Sequence, residues 1–509
     1  MKSRLTTFLG FSPRAWLRDT RRMRDIVAAA PKGTATPGDP RFAVVVTPWL
    51  GTPVPWFSII SGLLLAADGA QVVFVIDDLP FGPLRTRFRF VVACIRSVAK
   101  VLRGRCEFAD LHQFRHASRI DDSADCDVDA LAELNAVWAL RGEMSRTGRE
   151  RYVLNSRAQL REASSAVAAF LESWPIDVVF VPGGVYGSSG VWTALARRRG
   201  IRVASFDSGG YGTLMLAVDG IASQLQDIPR AFAMLNERPN IERERAAIRT
   251  AALDEMTKRR NGVDRFASQM REQPASTKRF DGAVLIALNS SWDSAALGLH
   301  AVFRDSTEWI VETIRYLLAQ TAAPVVVRQH PAERLEIART SDDYRALLRN
   351  AFPDHPRLHF IAADEPVNSY DLLAQVIAVV VYTSTIGIEA AAGGKVVITA
   401  SRSYYSDLGF VWKAADRTRY DEHLAEAAAG RYHVTTGMQE DALCCYYLTQ
   451  CCNWVFSPFN PEGFNEWQRY TLAELAAHDK VRLTVKALRN NVPVAYLAHV
   501  ARVTGPAAS

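Results

Sequence analysis

Nothing in this 509-residue sequence spaces its cysteines for a metal or redox centre. The seven cysteines include the adjacent pairs Cys444-Cys445 and Cys451-Cys452, but no Cys-x-x-Cys and no Cys/His pattern of the kind that holds zinc. An odd count with adjacent pairs predicts free thiols in a reducing cytoplasm rather than a disulfide framework. Long apolar runs are missing too. The longest, Pro53 to Ala67, is interrupted by prolines, serines and a glycine and is too short to span a bilayer. Residues 1–32 lack the apolar core of a secretory signal. Net charge is small for the length, +6, which gives no reason to expect nucleic-acid binding, although it suits anionic substrates. No repeat at a solenoid period is visible. With 49% hydrophobic and 22% charged residues, the composition is that of a soluble globular protein. The length implies two to three domains.

What is present reads as alternating strands and helices. Phe42–Thr47 is a buried β-branched run that leads into the proline-stiffened loop Pro48–Trp56, broken at Gly51-Thr52. A helix over 58–67 and a strand over Gln71–Ile76, ending at Asp77-Asp78, complete a βαβ opening and predict a parallel sheet. Residues 85–170 read as mostly helical. The acidic run Asp121–Asp129 contains Asp-x-Asp spacing, yet it precedes a helical pattern, so it reads as a solvated helix start rather than a metal site. Asp177–Val181 is the next strand, followed by a glycine-rich turn through Gly183, Gly184, Gly187 and Gly190, then a helix over 191–199 and a strand ending at Asp207-Ser-Gly. The turn departs from G-x-G-x-x-G, which weighs against a nicotinamide dinucleotide.

Between about 234 and 280 the chain turns charged and polar, as expected of a surface helix and a linker near Gln273–Thr277. A second α/β series begins at Gly282–Leu288, continues through Asn289-Ser-Ser-Trp-Asp293, and includes strands at 323–330, 358–361 and 376–381. Arg328 and His330 stand two apart at the end of one of these strands, so an extended backbone would send both side chains to one face as an anion-binding pair. The imidazole could then protonate a departing phosphate. In the next strand's loop, Thr383-Ser384-Thr385 offers hydroxyls and amides, Gly387 permits close approach, and Glu389 in the first helical turn is placed to accept from ribose hydroxyls. Gly393-Gly394 ends that helix. The expected domains are a basic arm (1–40), a first Rossmann-like domain (41–278), a second (279–440) and a helical end (441–509). The arm's Lys2, Arg4, Arg14, Arg18, Arg21, Arg22 and Arg24 suit an amphipathic helix on an anionic membrane surface, and a solvated basic arm equally.

Gln329-His-Pro331, Val367-Asn368-Ser-Tyr-Asp-Leu-Leu373, and Tyr382-Thr-Ser-Thr-Ile-Gly-Ile-Glu389 with Gly394-Lys-Val-Val resemble the bacterial capsular polysaccharide biosynthesis proteins. That family includes Kdo transferases and is similar in outline to bacterial sialyltransferases. The resemblance is good over about 281–412, looser at 41–80 and 176–230, and absent elsewhere. It implies an α/β, GT-B-like fold: two Rossmann-like parallel-sheet domains facing a cleft, the nucleotide donor on the C-terminal one, with helices at the C-terminus. It further implies a metal-independent glycosyltransferase of the cytoplasm or the inner membrane face, with no cofactor. The donor would be a nucleotide sugar such as CMP-Kdo, and the acceptor a glycan or glycolipid. His330, Ser384 and Thr385 would contact the donor phosphate, with Arg328, Thr383, Gly387, Glu389, Asn368 and Asp293 around the donor and Gly51, Thr52 and Gly184 on the acceptor side. The catalytic base would come from the N-terminal domain: Asp207 first, Asp77-Asp78 second. Neither reproduces the acidic-Gly motif of sialyltransferases. A CDP-alditol glycerophosphotransferase and an inert glycan-binding scaffold are the alternative readings.

Overall fold

The computed structural model describes residues 11–30, 38–51, 53–79, 85–102, 106–115, 126–144, 148–263 and 279–504. Thr52, the linker expected near 273–277 and most of the acidic run, 121–125, lie outside these. The chain forms two compact units.

The first unit takes in 1–135, 150–227 and 453–509. Its strands are β1 (Arg41–Val46), β2 (Gln71–Ile76), β3 (Glu107–Asp110), β4 (Val178–Pro182), β5 (Arg202–Ser208) and β6 (Thr213–Ala217). They lie in the order β6-β5-β4-β1-β2-β3, with the short strand Val455–Phe456 added outside β6. β1 to β5 are parallel, whereas β6 and 455–456 each run antiparallel to their neighbour. The order reverses between β1 and β4, which is the topological switch point of a doubly wound sheet. Helix Val54–Ala67 is apolar on almost every side because it is buried on almost every side. A Cβ on its Gly62 would stand 2.4 Å from the Phe74 ring, so only glycine lets it lie this close to β2.

The second unit takes in 136–149 and 228–452. Its strands are β7 (Val284–Ala287), β8 (Val325–Arg328), β9 (Leu358–Ile361), β10 (Ala378–Val381), β11 (Val396–Thr399) and β12 (Trp412–Lys413), all parallel, in the order β12-β11-β10-β7-β8-β9. The four middle strands β8, β7, β10 and β11 are buried throughout, which is why they read as unbroken apolar runs. Here the switch point falls between β7 and β10. Together these are the two parallel-sheet units of the GT-B pattern.

Several expectations differ from what is observed. The residues after 441 do not form a segment of their own. Helix Thr436–Tyr446 and the π-turn Tyr447–Cys452 pack on helix Ile241–Arg260 in the second unit. From 453 onward the chain returns to the first, where Phe459 stacks on Phe57 at 4.4 Å and meets Trp467. The charged stretch after 234 holds the expected helix, Ile241–Arg260, but together with helix Ile228–Asn236 it belongs to the second unit and not to the first. The basic arm is a helix, Pro13–Ala28, whose apolar face (Trp16, Met23, Val27) is buried in the first unit's core. Its arginines 14, 18, 21, 22 and 24 are exposed. That apolar face is therefore occupied by the fold rather than offered to a membrane. No helix among the described residues is long and apolar enough to cross one.

Candidate donor site at the switch point of the second unit

Three loops leave the carboxyl ends of adjacent strands β10, β7 and β8. Asn289, two residues past β7, accepts the Thr383 amide on Oδ1 at 3.1 Å and ties the β10 loop to the centre of the sheet. Beyond Asn289, Ser290 donates to Glu333 at 3.2 Å and Ser291 to Asp342 at 2.8 Å. Gln329 donates to the other oxygen of Glu333, at 2.8 Å. Glu333 is buried, and desolvation outweighs these donors, raising its pKa to about 7.

His330 is held from one side. Its Nδ1 accepts the Ala332 amide at 3.2 Å, which leaves the ring proton on Nε2. Burial, followed by the charges of Arg259 and Arg328, pushes its pKa down to about 4. With no anion beside it, it is at neutral pH an uncharged donor of one hydrogen bond. Arg328 departs further from expectation. Its side chain is buried, and its guanidinium donates to the carbonyls of Ala362 and Val367, the latter at 3.1 Å. It fastens the loop after β9 instead of facing an anion, because the strand ends at Arg328 and the chain turns before His330.

Besides Arg328, the cation that acts on His330 is Arg259, at the end of helix Ile241–Arg260, which sequence reading treats as surface. Its Nε lies 3.8 Å from Glu389, and Nη1 donates to Gln450 at 3.4 Å. Basic residues closing a helix are ordinary complements to its dipole, so nothing in the sequence sets Arg259 apart. Glu389 is buried and occurs within the first turn of helix Ile386–Ala392 as expected. It also lines an open cleft of about 410 Å³ with Arg260, Asn368, Tyr370, Asp371 and Lys395.

The remaining expected residues divide. Ser384 and Thr385 are half-buried, and the buried hydroxyl of Thr383 has no protein partner, an orphan that a ligand would satisfy. The Ser384 carbonyl accepts from Tyr405 at 2.7 Å. Gly387 is required for packing, since a Cβ there would lie 2.8 Å from the Tyr405 hydroxyl. Asn368 caps helix Ser369–Gln375 by accepting the Tyr370 amide, and Asp293 closes its own turn by accepting the Ala295 amide. In the first unit, Asp207 is half-buried at the end of β5 and accepts the Ser208 amide, Gly51 is exposed, and Gly184 has φ +96°.

Beneath the β10 loop lies a line of groups the sequence did not single out. Glu143 accepts the Ser306 and Thr307 amides at the start of helix Ser306–Gln320, and its other oxygen lies 3.7 Å from His300 Nε2. His300 Nδ1 meets the Tyr382 hydroxyl. Burial raises Glu143 to about 7 and holds His300 below its ordinary pKa.

Among the described residues, one group has metal-ligating geometry: Asp78, Asp110 and His112 of the first unit. The Arg96 guanidinium contacts all three side chains and already supplies the cation. Of the acidic run, Asp127 caps helix Val128–Leu140 at Ala130, and Asp129 pairs with Arg157.

Residues 233–436 match the family model described as capsule polysaccharide biosynthesis protein. This matched segment contains β7 to β12, the three loops, Arg259 and Glu389. No curated protein matches the chain. Solved structures similar to it include two from Thermosulfurimonas dismutans. The KpsC beta Kdo 2,4 transferase is 18% identical, TM-score 0.34, over 53% of this chain and 79% of that one. The KpsC beta Kdo 2,7 transferase is 15% identical, TM-score 0.33, over 61% and 89%. MurG of Acinetobacter baumannii is 10% identical, TM-score 0.27, over 86% and 99%. At these values the likeness decides nothing about the chemistry of the matched segment.

Proposed function

We propose that the protein is a cytoplasmic glycosyltransferase of capsule or surface polysaccharide assembly. It passes a sugar, Kdo or a related acid, from a nucleotide donor held by the second unit to a glycan or glycolipid acceptor. The observation that carries this reading is His330. It is a neutral imidazole, fixed through Nδ1, with Nε2–H left to donate and Arg259 beside it, at the edge of a doubly wound sheet. Such a group binds a phosphate oxygen without giving up its proton. Arg259 offsets the charge that gathers on the leaving phosphate, while the unpartnered Thr383 hydroxyl adds a donor. The family match over this segment supports the same reading. On this account the leaving group departs as a phosphate anion stabilised by fixed donors, and no metal is needed. The exposed arginines of helix Pro13–Ala28 supply a face for anionic lipid headgroups if the acceptor is lipid-linked.

A binding panel of CMP-, UDP- and CDP-linked donors tests this directly. A CMP-sugar is expected to bind, His330→Ala to weaken it at least tenfold, and affinity to show no ionisation near pH 6.5. Binding and transfer both untouched by His330→Ala would end this reading. Selective binding of a CDP-alditol would replace it with phosphoalditol transfer.

A further inference from the structure

The switch point of the first unit carries polar atoms that the fold itself does not use. Val46 and Ile76 are paired in register at the ends of β1 and β2, and the Asp77 amide donates to the Val46 carbonyl. The next residues, Thr47 and Asp77, therefore leave neighbouring strand ends side by side. Both bring a buried oxygen with no hydrogen-bond partner, Thr47 Oγ1 and Asp77 Oδ1. Asp77 is 2% exposed. Its other oxygen accepts from Ser188, in the first turn of helix Gly187–Arg198 beyond β4. Two orphaned oxygens at one strand edge are costly unless something else satisfies them. The backbone is open at Gly183 in the turn and at Gly187 where the helix starts, where a Cβ would meet nothing within 4 Å, whereas one at Gly184 would lie 3.2 Å from Thr193 Oγ1.

Among the described residues no cation pairs with Asp77. Its acidic neighbour Asp78 is already engaged by Arg96 and His112. Burial, opposed by the Ser188 hydrogen bond and reinforced by the Asp78 charge, raises the Asp77 carboxyl to about 7. A carboxylate in that range can accept a proton at neutral pH and release it again.

We propose that Thr47, Asp77 and Ser188 form a site for a sugar hydroxyl, in which Ser188 touches the hydroxyl and Asp77 takes up its proton through Ser188. The inference rests on the glycosyl-transfer reading. As the acceptor oxygen bonds to the anomeric carbon, the carbon–oxygen bond to the donor phosphate breaks and its electron pair leaves with the phosphate. The acceptor's proton passes to Ser188 Oγ while the Ser188 proton moves to Asp77. Thr47 positions the hydroxyl. Of the two acidic positions the sequence offered first and second, Asp207 and Asp77, the geometry favours the second, since Asp207 is half-exposed and bonded to its own turn.

The test uses the full chain and a calorimetric titration with a panel of neutral and acidic oligosaccharides, with no nucleotide present. Wild type is expected to bind at least one member, and Asp77→Asn and Thr47→Val each to weaken it about tenfold. With the donor added, Asp77→Asn and Ser188→Ala should lower kcat at least a hundredfold with donor KM unchanged, and Asp77→Asn should remove the acidic limb of the pH–rate profile. No oligosaccharide bound, or binding and turnover indifferent to Asp77→Asn, overturns the proposal. Failure of the donor reading is separate, because it appears as no nucleotide sugar bound.

Discussion

His330 and Gly387 show how residue identity and residue role come apart. Both belong to motifs that resemble the capsule family, and they lie in the segments that follow β8 and β10. Yet Gly387 acts by being small: Tyr405 Oη and Val381 Cγ2 occupy the space a methyl would need, at 2.8 and 3.1 Å from an ideal Cβ. Gly387→Ala is therefore expected to destabilise the chain by about 1–3 kcal/mol through overpacking. Tyr405→Phe in the same background should return part of that loss by removing the clashing oxygen. Urea unfolding of the two variants measures both, and a Gly387→Ala midpoint equal to wild type would contradict the packing account. The sequence could show that glycine was needed here but not whether a ligand or a tyrosine demanded it, because position 405 is brought in by the fold.

At the scale of elements, strand and helix were legible wherever burial imposed one pattern on a continuous run. β2 and β9 fall where the apolar runs predict, and β1, β7 and β10 differ at their ends by one or two residues. Of the elements missed, β3, β12 and 455–456 are short and at sheet edges, with residues that mix because only one side is covered, whereas β6 is buried but follows directly on the glycine-rich turn 209–212. The same limit explains Arg328. Two-residue spacing places side chains on one face only while the strand continues, and β8 ends at Arg328 itself. Its role is then to hold the carbonyls of Ala362 and Val367. Arg328→Ala leaves both unmet and should cost about 2–4 kcal/mol. Arg328→Lys, with one compact ammonium in place of a fork, should recover less than half. Folded Arg328→Lys should bind the donor within threefold of wild type, whereas Arg259→Ala should lose at least tenfold. Equal losses in the two variants would return Arg328 to the anion site.

Across the whole molecule, buried titratable groups oppose one another. Asp77, Glu143 and Glu333 are raised to about 7 by burial, well above their unfolded values. The fold binds their protons more tightly than the unfolded chain does, so their contribution is complete below about pH 4 and is lost as pH rises through 7. His330, lowered to about 4, behaves in reverse: its contribution is present above pH 6.5 and lost as pH falls toward 4. Three carboxyls against one imidazole make stability from these groups fall between pH 5 and 8. Neutral isosteres expose the effect. In Glu143→Gln the amide oxygen can still accept from Ser306 and Thr307, and in Asp77→Asn it can still accept from Ser188. Each variant is expected to gain about 1–3 kcal/mol relative to wild type between pH 5 and pH 8. Thermal unfolding at several pH values reads this as a widening difference between variant and wild type. Parallel curves would mean these carboxyls ionise in the fold as freely as in the unfolded chain, and Asp77 would then lack the proton affinity that its place at the first switch point requires.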